Sequence, residues 1–376
     1  MKKLLFLLFF FTLFGMIFVS QAIKLLFFAP RPPNASVKEV KRIPPTAECK
    51  TIEIVAQNLS IPWEIAFLPE GGMLITERAG KLLRLEGTTK VIKEITGVAH
   101  VGEGGLLGLA LHPDFAKNRM LYLYLTAQGE SGLENRVERY NLKNDTLTER
   151  KVILDGIKGS SNHDGGRMAF GPDGYLYITT GDAEDSTLAQ NKTSLNGKIL
   201  RIKDDGTLPA DNPFGNAVYS YGHRNPQGLA WTEKGELWIT EHGPSGFQSG
   251  YDEVNRIQKG GNYGWPIVFG NQDQKEFVAP VIQSGSTDTW APSGMLYYQG
   301  SLFFAGLRGE AVYKAKINKD NTLALSTYLR EEYGRIRTIA LGADGYFYLC
   351  TSNTDGRGTP RAGDDKLIRV SPNFFE

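Results

Sequence analysis

One arrangement of apolar and polar residues recurs six times along the chain. Each copy has an alternating apolar strand, a tight turn and a second strand that carries aromatic residues. In the clearest copy, residues 168–178, a Gly-Pro-Asp-Gly turn separates the two strands. An Asp-Gly pair between apolar runs is a strong hairpin signal, because both residues accept the backbone angles of tight turns. The copies lie at residues 65–76, 109–124, 168–178, 229–239, 295–304 and 339–349.

A third strand follows most copies and places a basic residue among aliphatic ones, as in residues 81–85, 198–202 and 366–370. The copies are spaced by roughly 40 to 65 residues, which suits four-stranded propeller blades with loop insertions. A β-sandwich has no need for six similar copies. We therefore predict an all-β fold, a six-bladed β-propeller with four-stranded blades, which spans residues 49–376 as one domain.

The composition agrees with this fold and narrows the function. The 43 glycines favour a turn-rich β chain over a helical one. The formal net charge is only +1, so electrostatics give no reason to expect a nucleic-acid partner, which needs a basic patch or stripe. The chain has two cysteines, which excludes a disulfide-dense scaffold and a cysteine metal cluster.

The amino terminus has the pattern of an export signal. Residues 1–22 combine a positively charged start, an apolar run and a Ser-Gln-Ala sequence that suits cleavage. Residues 23–29 are apolar again, so the stretch 4–29 is long enough to remain as a membrane anchor, which needs roughly 20 apolar residues. With either outcome we expect an exported protein that faces the periplasm or the extracellular space.

Residues 30–48 are rich in proline and predict an extended tether between this segment and the propeller. Cys49 and Cys350 lie at the two ends of the folded body. In an oxidising compartment they could form one disulfide, and the alternative is two unpaired buried thiols.

Polar loops interrupt the repeat, and they carry the candidate chemistry. His163 is a candidate general base, because an imidazole titrates near neutrality, and Asp182 could orient it. Arginine side chains in other loops could clamp a polyanionic ligand through two-point contacts with carboxylates. The carbonyls of Gly243 and Pro244 could bind a hard cation such as calcium. The candidate arginines are Arg224, Arg335 and Arg337.

Several ordered motifs in these loops resemble the soluble quinoprotein glucose dehydrogenases and aldose sugar dehydrogenases, also called glucose/sorbosone dehydrogenases. The resemblance covers about residues 50–372. Its most specific stretches are residues 222–230, 241–244, 252–255 and 259–266, and residues 76–81, 105–108 and 112–115 agree as well. That family consists of six-bladed propellers that bind pyrroloquinoline quinone (PQQ) and calcium at one end of the central channel.

The resemblance implies a role for each loop residue. His163 matches the base that takes the proton from the anomeric hydroxyl while hydride passes to the quinone, and Asp182 matches its carboxylate partner. Arg224 and Asn225 match the groups that contact the quinone oxygens. The remaining matches are Arg335 and Arg337 as the cofactor-binding pair, and Gly243 and Pro244 as carbonyl ligands of the catalytic calcium.

The chain also departs from the family. Glu103 stands where the glucose enzymes carry a glutamine, Asn162 where they carry an aspartate, and Arg308 where members place a lysine against the cofactor. All three are predicted to lie at the cofactor site. The loops between Trp265 and Trp290 are short, which favours an open site that accepts several sugars.

A second, structural calcium site is one interpretation of Glu253, the Tyr263 carbonyl and Asp273, and a solvated acidic loop is the other. Trp290 is expected either to line the sugar site or to lie in the core.

Three functions are compatible with these features. The first is a PQQ- and calcium-dependent dehydrogenase that oxidises an aldose at C1 to its lactone and passes electrons to an acceptor that the sequence does not identify. The second is a calcium-dependent lactonase-type hydrolase, and the third is a non-catalytic sugar-binding propeller. Arginines aimed at a tricarboxylate cofactor favour the dehydrogenase.

Overall fold

Each of the six repeats forms a four-stranded antiparallel sheet in the computed structural model, which describes residues 52–246, 249–270, 272 and 275–376. The prediction of an all-β six-bladed propeller is confirmed. From the channel outwards, the first three blades contain β2 (Pro62–Phe67), β3 (Met73–Glu77), β4 (Lys81–Glu86) and β5 (Thr88–Glu94); β6 (Leu106–Leu111), β7 (Met120–Gly129), β8 (Gly132–Lys143) and β9 (Thr146–Lys158); and β10 (Met168–Phe170), β11 (Leu176–Thr180), β12 (Lys198–Ile202) and β13 (Val218–Tyr221).

The fourth to sixth blades complete the ring. They contain β14 (Pro226–Trp231), β15 (Leu237–Glu241), β16 (Glu253–Arg256) and β17 (Ile282–Gln283); β18 (Pro292–Tyr298), β19 (Ser301–Gly306), β20 (Ala311–Ile317) and β21 (Leu323–Tyr328); and β22 (Ile336–Leu341), β23 (Phe347–Thr351), β24 (Leu367–Val370) and β1 (Ile52–Ala56). Inner strands of adjacent blades contact one another, as β2 does with β6 and β22 does with β2.

The ring is closed by its first described strand. β1 pairs antiparallel with β24, so that Ile52 lies opposite Val370 and Ile54 opposite Ile368. The outer strand of the sixth blade therefore comes from the amino-terminal side of the first blade. This pairing ties the two ends of the propeller together.

A polar contact at the blade corner explains why the turn and the third strand repeat together in the sequence. In the third blade, one carboxylate oxygen of Asp173 accepts hydrogen bonds from Arg201 at 2.8 Å and from the Tyr177 hydroxyl at 2.9 Å. The turn aspartate thus fixes the basic residue of the third strand. In the sixth blade the same contacts join Asp344, Tyr348 and Arg369.

The apolar side chains pack between neighbouring blades. Trp290 is one of these core residues, because it is 4% exposed and its ring lies 5.7 Å from that of Phe304 and 5.6 Å from that of Tyr313. Of its two expected positions, it takes the one in the core. Cys350 is also fully buried, whereas Cys49 lies outside the described residues.

Among the described residues, no helix has the length and apolarity that a membrane span requires. The helices in this part of the chain are short: Phe115–Asn118, Thr187–Gln190 and a 3₁₀ turn at Pro372–Phe375. The predicted signal or anchor segment and the tether, residues 1–48, fall outside the described residues.

Candidate active site

The interrupting loops meet at one face of the ring. The inner strand of each blade begins at this face, and the second strand ends at it, because the two strands run antiparallel. The loop before each inner strand and the loop after each second strand therefore lie at the same face. The loops surround a cavity of about 440 Å³, which lies in the range of about 300–1,000 Å³ common for small-molecule sites. The predicted residues that line it are Glu103, Asn162, His163, Arg224, Gly243, Pro244, Arg308, Arg335 and Arg337.

His163 and Asp182 are hydrogen-bonded to each other, which is the arrangement that a histidine–carboxylate pair requires. The His163 Nδ1 lies 2.7 Å from Asp182 Oδ1, and the other carboxylate oxygen accepts a hydrogen bond from Trp265 Nε1 at 2.8 Å. The Asp182 side chain is 2% exposed, so it is shielded from water. With the Nδ1 proton directed to the carboxylate, the lone pair of the neutral ring lies on Nε2.

The backbone of His163 adopts a left-handed conformation, with φ of 62°. Two contacts hold it there: its N–H donates to Glu103 Oε2 at 3.0 Å, and its carbonyl accepts from the Ala183 N–H at 3.2 Å. The chain at Gly181 passes close to the His163 carbonyl. A Cβ at Gly181 would lie 1.8 Å from that carbonyl oxygen, so only glycine fits at position 181.

Arg224 and Arg337 bring positive charge into the cavity. The Arg224 guanidinium donates to the Ser245 hydroxyl at 3.0 Å and lies 5.5 Å from the Trp265 ring centre. Arg337 is 5% exposed and donates to Gln227 at 3.1 Å. Its Nε has no hydrogen-bond partner among the described residues, and burial lowers the pKa of Arg337 to about 9. A buried cation in this state is stabilised by an anionic ligand.

Arg335 differs from Arg337 because a carboxylate of the protein already neutralises it. Its Nη2 lies 2.8 Å from Asp355, whose side chain is wholly buried. Asp355 was not predicted from the sequence. The only sequence signal is that it opens an Asp-Gly turn, which is also common in solvent-exposed loops.

Asn225 lies behind the cavity wall rather than on it. Its side-chain oxygen accepts from the Gly165 N–H and from Gln227, both at 3.1 Å, and its amide donates to Glu103 at 3.4 Å. It therefore braces residues that line the cavity.

Asp252 holds the loop that offers the two predicted calcium-binding carbonyls. Its carboxylate accepts backbone N–H bonds from Gly243 at 2.9 Å, from Trp290 at 2.7 Å and from Ala291 at 2.8 Å. Within the described part of the chain, no three His, Cys, Asp or Glu side chains are grouped so as to hold a metal. A cation beside Gly243 and Pro244 would thus depend on backbone carbonyls and on oxygens of a bound ligand.

Glu253 is buried and does not belong to a solvated acidic loop. Its two carboxylate oxygens accept from the Gly270 N–H at 2.9 Å and from Asn255 at 3.0 Å. Burial and the nearby Glu241 raise the pKa of Glu253 well above its usual range. The Tyr263 ring stacks on His223 at 4.6 Å, and Asp273 lies outside the described residues.

Two more lining residues were missed by the sequence analysis. His242 is partly buried, and the loss of water around its ring lowers its pKa to about 3, so the ring is neutral. Its Nε2 has no partner among the described residues. Arg357 reaches the cavity from the loop after β23. His242 lies within the 241–244 motif, whereas no pattern distinguishes Arg357 from other loop arginines.

Fold and cavity together define a β-propeller with a small-molecule site at one face of the ring, where a histidine–carboxylate pair meets several arginines. The family model for glucose/sorbosone dehydrogenase matches residues 59–368. The chain belongs to the glucose/sorbosone dehydrogenase family, which confirms the family that the ordered motifs predicted.

Similar proteins agree over most of the chain. Aldose sugar dehydrogenase YliI of Escherichia coli K12 is 35% identical, over 85% of this chain and 92% of its own length. The PQQ-bound aldose sugar dehydrogenase of Streptomyces coelicolor superposes with a TM-score of 0.79 at 40% identity, over 86% of this chain and 98% of that one. Quinoprotein glucose dehydrogenase B of Acinetobacter calcoaceticus is 35% identical over 60% of this chain and 54% of its own length.

Proposed function

We propose that this protein is a PQQ- and calcium-dependent dehydrogenase that oxidises aldose sugars at C1 to lactones. The observation that carries the proposal is the shared cavity: His163, which is hydrogen-bonded to Asp182, lines the same pocket as Arg224 and Arg337. A base alone would suit many reactions. A base that faces a cluster of buried cations suits oxidation beside an anionic cofactor.

The described residues fit such a cofactor. The unpartnered Nε of Arg337 and the Arg308 side chain, which lines the same cavity, provide cations for carboxylates. Arg335 lines the cavity too, with its charge already paired to Asp355. Gly243 and Pro244 are the residues that would hold calcium, a Lewis acid that polarises the quinone. When bound, PQQ supplies the two-electron acceptor that the side chains lack.

The protein's own part of the reaction is to move one proton. His163 Nε2 takes the proton of the anomeric hydroxyl, because Nδ1 is already committed to Asp182. The ionised Asp182 then stabilises the imidazolium, and Trp265 keeps the carboxylate in position. Arg224, which lines the same cavity, stabilises negative charge as it develops opposite the sugar.

The two alternative functions have less support. A lactonase built around a channel metal favours carboxylate ligands, and among the described residues no three His, Cys, Asp or Glu side chains are grouped so as to hold a metal. A sugar-binding module has no use for an unpartnered buried arginine.

We also propose that residues 1–22, or the longer stretch to residue 29, direct export, and that residues 30–48 tether the propeller. The electron acceptor is left unassigned.

Reconstitution tests the proposal. Purified protein is stripped of metal, given calcium and PQQ together or singly, and assayed with a reducible dye across a panel of aldoses. Dye reduction and lactone formation that require both additions are expected. If neither addition gives activity or a change in the PQQ spectrum, the arginine cluster binds another anion and the proposal is wrong.

A further inference from the structure

Arg357 crosses the rim of the cavity and joins three loops. Its Nη1 lies 3.0 Å from Glu103 Oε1, and its Nη2 donates to Asn162 Oδ1 at 2.8 Å. Its own N–H is anchored to Asp355 Oδ1 at 2.9 Å. The loop after β23 in the sixth blade is thereby connected to the loops that precede β6 and β10.

Each of the two carboxylate oxygens of Glu103 has its own partners. Oε1 faces Arg357, while Oε2 accepts from the His163 N–H at 3.0 Å and from the Asn225 amide at 3.4 Å. Burial opposes ionisation of Glu103, but the charge of Arg357 and the hydrogen bond from the His163 N–H outweigh it and hold the pKa of Glu103 at about 2. The side chain is therefore a carboxylate at any working pH.

His163 needs such support. A left-handed backbone costs a non-glycine residue on the order of 1 kcal/mol or more, and it persists only where the surroundings hold it. The Glu103 carboxylate is the acceptor for the N–H of this strained residue. Arg357 in turn fixes the far oxygen of that carboxylate, so the sixth blade contributes to the position of the ring.

We propose that Glu103 and Arg357 form a matched strap that positions His163 for proton transfer; this rests on the proposed role of His163 as the base. The two residues are matched because a carboxylate has one acceptor oxygen for Arg357 and a second one for the His163 N–H. A glutamine at position 103 has one acceptor oxygen, so its NH₂ group must face either Arg357 or the His163 N–H, and both are donors. Removing Arg357 should relieve that conflict.

A double-mutant cycle tests the strap in the reconstituted enzyme. We expect Glu103→Gln to lower kcat about 10-fold with a smaller change in sugar KM, and to cost less than about 3-fold when it is combined with Arg357→Ala. Arg361→Ala is the matched control, because Arg361 lies in the same loop but donates to the carbonyls of Glu331 and Glu332. Equal losses from Glu103→Gln in both backgrounds would overturn the proposal.

A second measurement needs neither sugar nor cofactor, so it separates the strap from the proposed function. The chain has five histidines, so ¹⁵N-histidine labelling gives few amide signals, and His163→Ala identifies the one of interest. We expect hydrogen exchange at the His163 amide to accelerate about 10-fold in Glu103→Gln and to slow again when Arg357→Ala is added.

Arg357→Ala alone keeps the test valid if Glu103→Gln fails to fold. It should accelerate exchange at the His163 amide about 3-fold, because the carboxylate loses the cation that orients it. Exchange that matches the wild-type protein in this variant would overturn the strap, whatever the outcome of the dye assay.

Discussion

At the scale of single residues, the two neighbouring arginines of the sixth blade are held in opposite ways. Arg335 is paired with the buried carboxylate of Asp355, so its charge is compensated within the protein. Arg337 is buried to a similar extent, but its Nε has no partner among the described residues and its pKa is lowered. We therefore expect Arg337 to contribute more to anion binding than Arg335, and to destabilise the cofactor-free protein more.

This difference predicts opposite effects on stability. Arg337→Met should raise the free energy of unfolding of the cofactor-free protein by about 1 kcal/mol, because it removes a poorly satisfied buried charge, and should weaken PQQ binding at least about 10-fold. Arg335→Met should instead lower it by about 3 kcal/mol, because it leaves Asp355 buried without its cation. Urea unfolding and PQQ titration check both signs, and two losses of similar size would contradict this account.

Sequence reasoning found the residues whose chemistry is carried by their type. His163, Asp182 and the arginines are unusual in loops that interrupt a strong repeat. The structure places His163 and the arginines around one cavity, with Asp182 hydrogen-bonded to His163. Sequence reasoning could not find Arg357, because its partners Glu103 and Asn162 belong to loops of other blades. It could not find Asp355, because its partner Arg335 is 20 positions away and no motif links the two. His163 and Arg357 are 194 positions apart in the chain, and only closure of the ring brings their loops together.

At the scale of elements, the third strand of the third blade begins with a buried lysine. Lys198 Nζ donates to the carbonyls of Leu188 at 2.8 Å, Ala189 at 2.9 Å and Asn196 at 2.6 Å. Two of these carbonyls belong to the short helix Thr187–Gln190, which follows the Asp182 loop. The lysine thereby anchors a segment that the regular blade pattern does not include.

Lys198→Met should therefore destabilise the protein by about 2–4 kcal/mol, because three inward-facing carbonyls lose their donor. The matched control is Lys81→Met, at the equivalent position of the first blade, where the lysine is half-buried. The control should cost less than about 1 kcal/mol. Chemical denaturation gives both values, and equal losses would show that Lys198 has no special anchoring role.

At the scale of the whole molecule, the ring depends on β1, which completes the sixth blade. Glu53 lies opposite Arg369 in this pairing, and their side chains form an exposed ion pair at 3.4 Å. The sequence repeat predicted the number of blades correctly, because each blade has its own hairpin signal. It did not show where the sixth blade obtains its outer strand, since a short strand from the other end carries no turn signal.

Proline in β1 should open this closure. Replacing both Glu53 and Ile54 by proline removes one N–H that points to β24, because the N–H groups of successive strand residues point to opposite sides. This should lower the free energy of unfolding by about 3 kcal/mol or more. Glu53→Gln is the control, because it removes only the ion pair, and we expect a loss below about 1 kcal/mol. A proline variant that melts at the wild-type temperature would show that β1 is dispensable for the ring.

The central claim is that His163 takes the sugar proton in a cavity that binds PQQ independently of that histidine. One anaerobic single-turnover measurement tests it most directly: protein loaded with calcium and one equivalent of PQQ is mixed with an aldose, and the cofactor absorbance is followed. The wild-type protein should reduce the cofactor. His163→Ala should bind PQQ within about 3-fold of the wild-type affinity and reduce it at least about 10³-fold more slowly. Reduction at the wild-type rate in this variant would contradict the account.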